Sequence, residues 1–268
     1  MLASRQVERV LRKQFRENEA PSILIEINST CNYQCPFCPQ SSFRRPEQYM
    51  TRDSFSRVVR QLEGMRYTGK VVLTGNNEPF MHPLLVDFCR MISDRLPFAR
   101  CHFTTNGSLI TREQVRELCE LSHPPAVDIN DYTPQHVVIP RIRSLLSSLS
   151  KSNRLTVVMR ERSRDEYLGN RAGNQSGESN PEDYRNVICT WPFMGLFVSW
   201  DLKVFQCCSD YLHEVVVGDL SKQSLMDIWK GQECREIREK MLTSKRRNLV
   251  LCRKCDSDWF ILPDHCAS

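Results

Sequence analysis

Short apolar runs alternate with longer amphipathic stretches along the first 160 residues of the chain. The apolar runs are rich in Val, Ile and Leu and have the length of buried strands. Strands are predicted at residues 23–27, 71–74, 101–105, 126–129 and 155–159. Helices are predicted between them at residues 52–65, 83–94, 111–121 and 139–149. This order indicates an α/β fold with a parallel sheet.

The residues that follow the predicted strands are unusual. Parallel strands close into a full or partial barrel or form an open doubly wound sheet, and both place their functional residues at the carboxyl ends of the strands. Three cysteines follow the first strand, Gly-Asn-Asn-Glu-Pro at residues 75–79 follows the second, Thr-Asn-Gly at 105–107 follows the third, and Asn130 follows the fourth. We therefore expect a functional site at this edge of the sheet.

Three further segments flank the alternating part. Residues 1–20 carry charges every few positions and predict a surface helix, and the Gly-, Asn- and Ser-rich residues 161–185 predict a linker. From residue 186 to 268 the chain has short strand-like pieces, an amphipathic helix around residues 223–242 and several cysteines, which indicate a small second domain. The predicted organisation is an N-terminal helix (1–20), a main domain (21–160), a linker (161–185) and a second domain (186–268).

Composition narrows the functional classes. With 268 residues and 40% apolar content the chain is able to bury a large core, which excludes a disordered or fibrous protein. The net charge of +5 arises from charges spread along the chain rather than gathered in a basic stripe, so no nucleic-acid partner is expected. The chain shows neither a secretory signal nor a membrane span, and we expect a soluble, cytoplasmic protein with no membrane partner.

Thirteen cysteines need an explanation in a cytoplasmic chain. A disulfide framework is disfavoured in the reducing cytosol, which leaves metal ligation or catalysis. Four of them stand alone in apolar helical or strand patterns and are expected to be packed residues, namely Cys89, Cys101, Cys119 and Cys234. The others lie near the two ends of the chain, where their spacing is typical of ligand sets.

Cys31, Cys35 and Cys38, the first thiol set, lie within the sequence Cys-Asn-Tyr-Gln-Cys-Pro-Phe-Cys. A structural zinc site uses four ligands, commonly as two close pairs, whereas three thiolates on one tight loop suit a 4Fe–4S cluster with one open iron. An open iron is able to bind a small chelating molecule and pass an electron directly into it. The triplet therefore favours a redox-active cluster over zinc.

The strand-end motifs together resemble those of the radical S-adenosylmethionine (SAM) superfamily. The first thiol set has the spacing C-x3-C-x2-C of that family, with the aromatic Phe37 before the last cysteine. Residues 75–79 resemble its Gly-Gly-Glu-Pro motif, which implies that Glu78 binds the amino group of SAM and that Asn76 lies beside the cofactor. The tripeptide at 105–107 resembles its Thr-Asn-Gly, which implies SAM contacts for Asn106, with Asn130 nearby.

The resemblance implies a fold and a reaction. The fold would be a partial (β/α) barrel, and the reduced cluster would cleave SAM to give a 5'-deoxyadenosyl radical that abstracts hydrogen from an unactivated carbon. Such enzymes take their electron from an external donor such as flavodoxin or ferredoxin. The protein would hold the substrate carbon beside the radical and exclude water.

The second thiol set consists of Cys189, Cys207, Cys252 and Cys255. Four thiolates close either a zinc site or an iron–sulfur cluster, and their residue types alone leave both open. The order of landmarks from Cys189 onward resembles the SPASM extension in its short twitch form, which implies one auxiliary 4Fe–4S cluster and two clusters in all. Cys207 is the preferred ligand of the adjacent pair. Cys208 is then a packed thiol or a hydrogen-atom donor, and Cys266 has a similar ambiguity.

Arg171 is the remaining candidate. Residues 170–173, Asn-Arg-Ala-Gly, resemble a short motif of twitch enzymes that act on aminocyclitols, which implies a substrate or cofactor role for Arg171. The resemblance favours oxidation of a secondary alcohol in a sugar or aminocyclitol, as in aminocyclitol antibiotic pathways. The alternatives are a carbohydrate or aminoglycoside epimerase that uses Cys208, a peptide-modifying enzyme of the same superfamily, and a structural zinc-binding protein.

Overall fold

The computed structural model describes residues 20–148, 155–175, 180–243 and 246–257. The predicted N-terminal helix falls on residues 1–19, which lie outside the described residues, and so does Cys266. Within the described ranges, no helix is both long and apolar enough to cross a lipid bilayer.

Eight strands of the described residues form one mixed sheet. They are β1 (Ser22–Ile25), β2 (Lys70–Val72), β3 (Arg100–Thr105), β4 (Ala126–Asp131), β5 (Thr156–Glu161), β6 (Gly195–Val198), β7 (Lys203–Phe205) and β8 (Val216–Asp219). Their order across the sheet is β5-β4-β3-β2-β1-β6-β7-β8. Neighbouring strands from β5 to β1 pair in parallel, as the alternation of elements predicted.

Seven α-helices lie within the described residues. They are α1 (Arg52–Gly64), α2 (Leu85–Arg95), α3 (Arg112–Glu120), α4 (Val138–Ser147), α5 (Trp191–Met194), α6 (Leu225–Trp229) and α7 (Gln232–Thr243). The first four follow β1 to β4 in turn, which confirms the predicted crossovers. Helix α1 shows why they form. Thr51 accepts the Ser54 backbone N–H at the amino end, and the helix buries Phe55, Val58 and Leu62 on one face.

The single amphipathic helix predicted around residues 223–242 is wrong. The segment forms α6 and α7 with a break at Lys230 and Gly231. A Cβ atom on Gly231 would lie 2.7 Å from the Asp227 carbonyl oxygen, so the chain turns there in a space that only glycine fits. The break lets the Trp229 side chain pack in the core, where it is fully buried.

Strand β6 joins the C-terminal part of the chain to the central sheet. It pairs in parallel with β1, with Ser22 opposite Gly195 and Ile25 opposite Val198. The two backbones approach so closely that a Cβ on Gly195 would lie 2.6 Å from the Ser22 carbonyl oxygen. Strands β7 and β8 then continue the sheet in antiparallel order. One apolar core extends across strands of both parts of the chain.

Candidate functional site

A cavity of about 760 Å³ opens at the carboxyl ends of the parallel strands. All three cysteines of the first thiol set line it, together with residues that follow β2, β3 and β4. The predicted cofactor residues among its lining are Phe37, Asn76, Glu78, Asn106 and Asn130. The strand-end motifs therefore meet in one place, because the carboxyl ends of parallel strands share one edge of the sheet.

The first thiol set lies on a tight loop. The Cys38 N–H donates to the Cys35 carbonyl at 2.9 Å, the Tyr33 N–H points at the Cys31 sulfur at 3.4 Å, and the Asn106 side-chain amide lies 3.7 Å from the same sulfur. Burial raises the pKa of Cys31 to about 12 and that of Cys35 to about 11. Burial also raises the pKa of Cys38, so all three thiols favour the neutral form when no cation is bound to them.

Buried polar bonds shape the loop from Gly75 to Glu78. The Asn76 N–H donates to Glu26 Oε1 at 2.8 Å, and the Asn77 side chain donates to Asn28 Oδ1 at 2.8 Å while accepting the Gly75 N–H at 2.7 Å. The two asparagines that depart from the family's usual glycine thus anchor the loop to the chain beyond β1. Sequence reasoning identified the motif and missed Glu26.

Glu78 is held rigidly at the floor of the cavity. It is 2% exposed, and its carboxylate accepts the Thr105 hydroxyl at 2.6 Å, the Asn106 N–H at 2.8 Å and the Phe80 N–H at 3.0 Å. Burial raises the pKa of Glu78 above its ordinary value, although these three donors oppose the shift. A ligand ammonium group would complete the charge balance of this carboxylate.

Phe37 and Asn130 line the opposite part of the cavity. The Phe37 ring packs against Tyr132 with centroids 5.1 Å apart, and both rings line the cavity. The Asn130 Oδ1 is buried and has no hydrogen-bond partner among the described residues. The two rings are tilted by 46°, and their faces together with the unused Asn130 acceptor are suited to a heteroaromatic ring that carries an N–H donor.

A second cavity of about 160 Å³ is lined by the whole second thiol set. The four thiols lie close enough to perturb one another: burial raises the pKa of Cys189 to about 12, with Cys207 and Cys255 adding to the shift. Burial likewise raises the pKa of Cys252, and the other three thiols of the set contribute. These four cysteines form one group, as their order in the sequence predicted.

Five of the seven predicted ligands share one local geometry. In each, the backbone N–H two residues further along donates to the thiol; the cysteines are Cys31, Cys38, Cys189, Cys207 and Cys255. Amides directed at sulfur favour the thiolate form that a metal binds. Cys208 instead contacts the Cys207 thiol and its own backbone N–H, and the Cys207 contact lowers the pKa of Cys208. Cys207 stays the predicted ligand of the pair.

Both thiol sets surround cavities. Within the described ranges, no group of three or more Cys, His, Asp or Glu side chains is placed to hold one metal ion. A tetrahedral zinc would bring its sulfur ligands to about 3.8 Å from each other. A 4Fe–4S core spreads its thiolates farther apart, and both thiol sets line cavities that offer this space.

Arg171 lies where the two cavities meet, because it lines both. It follows Asn170, whose N–H donates to Asp256 Oδ1 at 2.8 Å and whose side-chain amide donates to the Lys254 carbonyl at 2.8 Å. The Arg171 Nε is buried without a hydrogen-bond partner among the described residues. Sequence reasoning missed Asp256; its position next to Cys255 is the only signal that indicated it.

Comparison with known proteins agrees with this geometry. Residues 25–148 match the Radical SAM superfamily, and residues 189–256 match the iron–sulfur cluster-binding domain called SPASM. The chain contains a radical SAM domain followed by a SPASM domain. Both the predicted family and the predicted fold class are confirmed. As a radical SAM enzyme with a SPASM domain, it is an iron–sulfur protein that uses SAM.

The chain is similar over most of its length to known proteins in both sequence and fold. It is 26% identical over 237 residues to the S-adenosyl-L-methionine-dependent 2-deoxy-scyllo-inosamine dehydrogenase of Niallia circulans, covering 88% of this chain and 92% of the relative. Its fold matches BtrN in complex with AdoMet and 2-DOIA with a TM-score of 0.78, at 24% identity over 90% of this chain and 94% of BtrN. It also matches anSMEcpe with bound AdoMet, with a TM-score of 0.58 at 13% identity over 84% of each chain.

Proposed function

We propose that the chain is a radical SAM dehydrogenase that oxidises a secondary alcohol of a carbohydrate or aminocyclitol. In this proposal the first thiol set holds a 4Fe–4S cluster with an open iron, and the second thiol set holds a fully ligated 4Fe–4S cluster. The proposal depends most on the position of Arg171. This residue lines both the larger cavity, here called the SAM-side cavity, and the cavity of the second thiol set. A substrate bound at Arg171 lies between the two clusters.

The side chains around the larger cavity position SAM and the substrate. When bound, the reduced cluster and SAM supply a 5'-deoxyadenosyl radical that abstracts one hydrogen atom from the substrate. Glu78 is fixed by three donors and faces the site of the SAM ammonium group, and the Phe37 and Tyr132 rings offer apolar faces for adenine. Asn106 lies against the Cys31 sulfur and orients the same region.

Arg171 supplies donors where an alcohol oxygen would gain negative charge. A guanidinium group only donates hydrogen bonds, and the buried Arg171 Nε has no partner among the described residues. Held against the substrate oxygen, it stabilises the anionic character that develops as the hydroxyl proton leaves to solvent. After loss of a hydrogen atom and that proton, one electron must leave to give the ketone, and the second thiol set lies beside the same arginine.

The main alternative is epimerisation, which returns a hydrogen atom to the substrate carbon. Cys208 is the candidate donor, and its sulfur-bearing side chain lines the second cavity but not the larger one. Arg171, the proposed substrate residue, lines that cavity too and interacts with the Cys208 thiol, so the experiments below must distinguish the two reactions. Oxidation ranks first because the second thiol set lies beside the same arginine and is placed to take up an electron. Either reaction needs an external one-electron donor such as flavodoxin or ferredoxin.

The deciding experiment is an anaerobic reaction of the reconstituted enzyme with SAM, a reductant and a panel of sugars and aminocyclitols in deuterium oxide. A product lighter by two hydrogen atoms, formed with one 5'-deoxyadenosine per turnover, supports dehydrogenation. Deuterium at the abstracted carbon of a product with unchanged elemental formula supports epimerisation and overturns the proposal.

Two variants provide a second way to distinguish oxidation from epimerisation. Cys208→Ala should retain product formation, because no hydrogen atom is returned in the oxidation. Cys119→Ala, a half-buried cysteine of α3, is the matched control for loss of a thiol. If Cys208→Ala forms 5'-deoxyadenosine without product while the control stays active, Cys208 is the hydrogen donor and the enzyme is an epimerase.

A further inference from the structure

The second cavity contains a buried cation that the ligand set does not explain. Arg246 is 1% exposed, follows α7 in the chain, and lines the cavity with all four cysteines of the second thiol set. Its Nη1 donates to the Cys255 carbonyl at 3.2 Å, its Nη2 donates to the Ser257 carbonyl, and its guanidinium lies 5.8 Å from the centre of the Tyr184 ring. All of these contacts are to uncharged groups.

Within residues 20–148, 155–175, 180–243 and 246–257, no carboxylate balances the charge of Arg246. None of the ion pairs formed within the described ranges includes Arg246. Its Nε is buried and has no hydrogen-bond partner in the part of the chain that the structure describes. A buried charge without a counter-charge is costly, so a fold that keeps one has an anion for it.

We propose that Arg246 is the counter-charge of the second iron–sulfur cluster and raises its reduction potential. This inference rests on the proposed function, in which the second thiol set holds a 4Fe–4S cluster. A 4Fe–4S cluster with four cysteine thiolates carries a net charge of about −2 when oxidised and gains another negative charge on reduction. A neighbouring cation stabilises the reduced form more than the oxidised form.

The backbone keeps the guanidinium at the cluster rather than in solvent. Two carbonyls of the Cys255–Ser257 loop accept from it, and the Ser257 N–H in turn donates to the Cys255 sulfur at 3.4 Å. A second buried donor, Trp191 Nε1, lines the same cavity without a partner among the described residues. Donors directed at cluster sulfurs also raise the reduction potential. The Arg246 charge and these donors therefore favour the reduced form of the cluster. Alcohol oxidation requires this, because the cluster has to accept an electron.

A purely structural role is the competing explanation. Arg246 would then serve only to hold the carbonyls of the Cys255–Ser257 loop, and its charge would have no effect on the cluster. The reduction potential of two variants separates the roles, because Arg246→Lys keeps the charge and loses the guanidinium clamp, whereas Arg246→Gln loses both.

The test uses the full chain with the first thiol set replaced by alanine, so that the second cluster is the only paramagnetic centre. Its midpoint potential is measured by redox titration with electron paramagnetic resonance, in this background and with Arg246→Gln or Arg246→Lys added. Arg246→Gln should lower the potential by at least about 59 mV, a tenfold change in the one-electron equilibrium. Arg246→Lys keeps the charge and should stay within about half of that shift.

Each possible result either supports or overturns the inference about Arg246. An Arg246→Gln variant that carries its iron at an unchanged potential overturns the inference and leaves the proposed function standing. A background protein that holds zinc, or no iron, in the second thiol set overturns both. If Arg246→Gln fails to load, electron–nuclear double resonance of the reduced wild-type cluster with 15N-guanidinium arginine replaces the variant. A 15N coupling supports the contact, and its absence overturns it.

Discussion

Glu26 gives the clearest stability prediction, because it is a fully buried carboxylate beside the loop from Gly75 to Glu78, here called the SAM-side loop. Its Oε1 accepts from Arg45 Nη2 at 2.7 Å and from the Asn76 N–H at 2.8 Å. The Arg45 side chain is 6% exposed and also donates through Nη1 to His213 Nε2 at 3.1 Å. The ion pair therefore connects the end of β1, the SAM-side loop and the segment after β7.

The expected cost of Glu26→Ala follows from this geometry. Removing one partner of a buried ion pair leaves the other charge uncompensated and costs about 3–5 kcal/mol. The Asn76 N–H loses its acceptor at the same time. Because this N–H and Arg45 share the same oxygen, Oε1, no separate cost is added for the lost hydrogen bond. Glu63 and Arg95 form an exposed pair with side chains 43% and 30% exposed, so Glu63→Ala should destabilise the fold far less than Glu26→Ala.

The measurement is urea unfolding of cluster-free protein under anaerobic, reducing conditions, with Glu63→Ala as the control. The double variant Glu26→Ala/Arg45→Met should be more stable than Glu26→Ala alone, because it removes the uncompensated cation. SAM binding to reconstituted protein should weaken at least about tenfold in Glu26→Ala, since Asn76 loses its anchor. If Glu26→Ala costs no more than Glu63→Ala, the reasoning about the buried pair is wrong.

Three other outcomes are expected. Replacing the whole first thiol set with alanine should abolish 5'-deoxyadenosine formation while the second cluster remains loaded; continued reductive cleavage of SAM contradicts the site. The wild type should bind about eight irons per chain, and Cys252→Ala/Cys255→Ala should lose about half of them by iron and sulfide analysis. Stoichiometric zinc would exclude the second cluster. The hydrogen bond from Lys203 lowers the pKa of Asp219, so Asp219→Asn should be less stable than wild type at neutral pH. Because a lowered carboxyl pKa stabilises only above the unfolded value, that difference should shrink in unfolding experiments as the pH falls below about 4.

The sequence predicted the parallel half of the sheet because each element there carries its own periodic signal. The strand-end motifs could be assigned to one site without coordinates, since parallel topology alone brings carboxyl ends together. Glu78 and the first thiol set were accessible to this reasoning. Glu26 was not, because a single acidic residue after a strand has no distinctive spacing and acquires its partners only from loops distant in sequence.

The C-terminal half was harder for a physical reason. Strand β6 is four residues long and pairs with β1, about 170 residues earlier in the chain. No local pattern specifies that partner; the close approach at Gly195 does so only once both backbones are in place. Arg246 was overlooked for a related reason, since arginines are mostly exposed and its burial depends on a cavity formed by distant cysteines.

Strand β1 and the residue that follows it contribute to both cavities and so relate their positions. Leu24 lines the cavity of the second thiol set, and Glu26, two residues further along, anchors the loop of the SAM-side cavity through Asn76. Residues two apart along extended chain lie on one face and are separated by about 7 Å. The Asn76 side chain also donates to the Cys208 carbonyl at 3.0 Å, next to Cys207 of the second thiol set. The relative position of the two thiol sets therefore depends on paired backbone and buried polar bonds rather than on the polar segment that joins them in sequence. In the proposed reaction, an electron would pass from a substrate at Arg171 to the second thiol set over a distance that the sheet fixes.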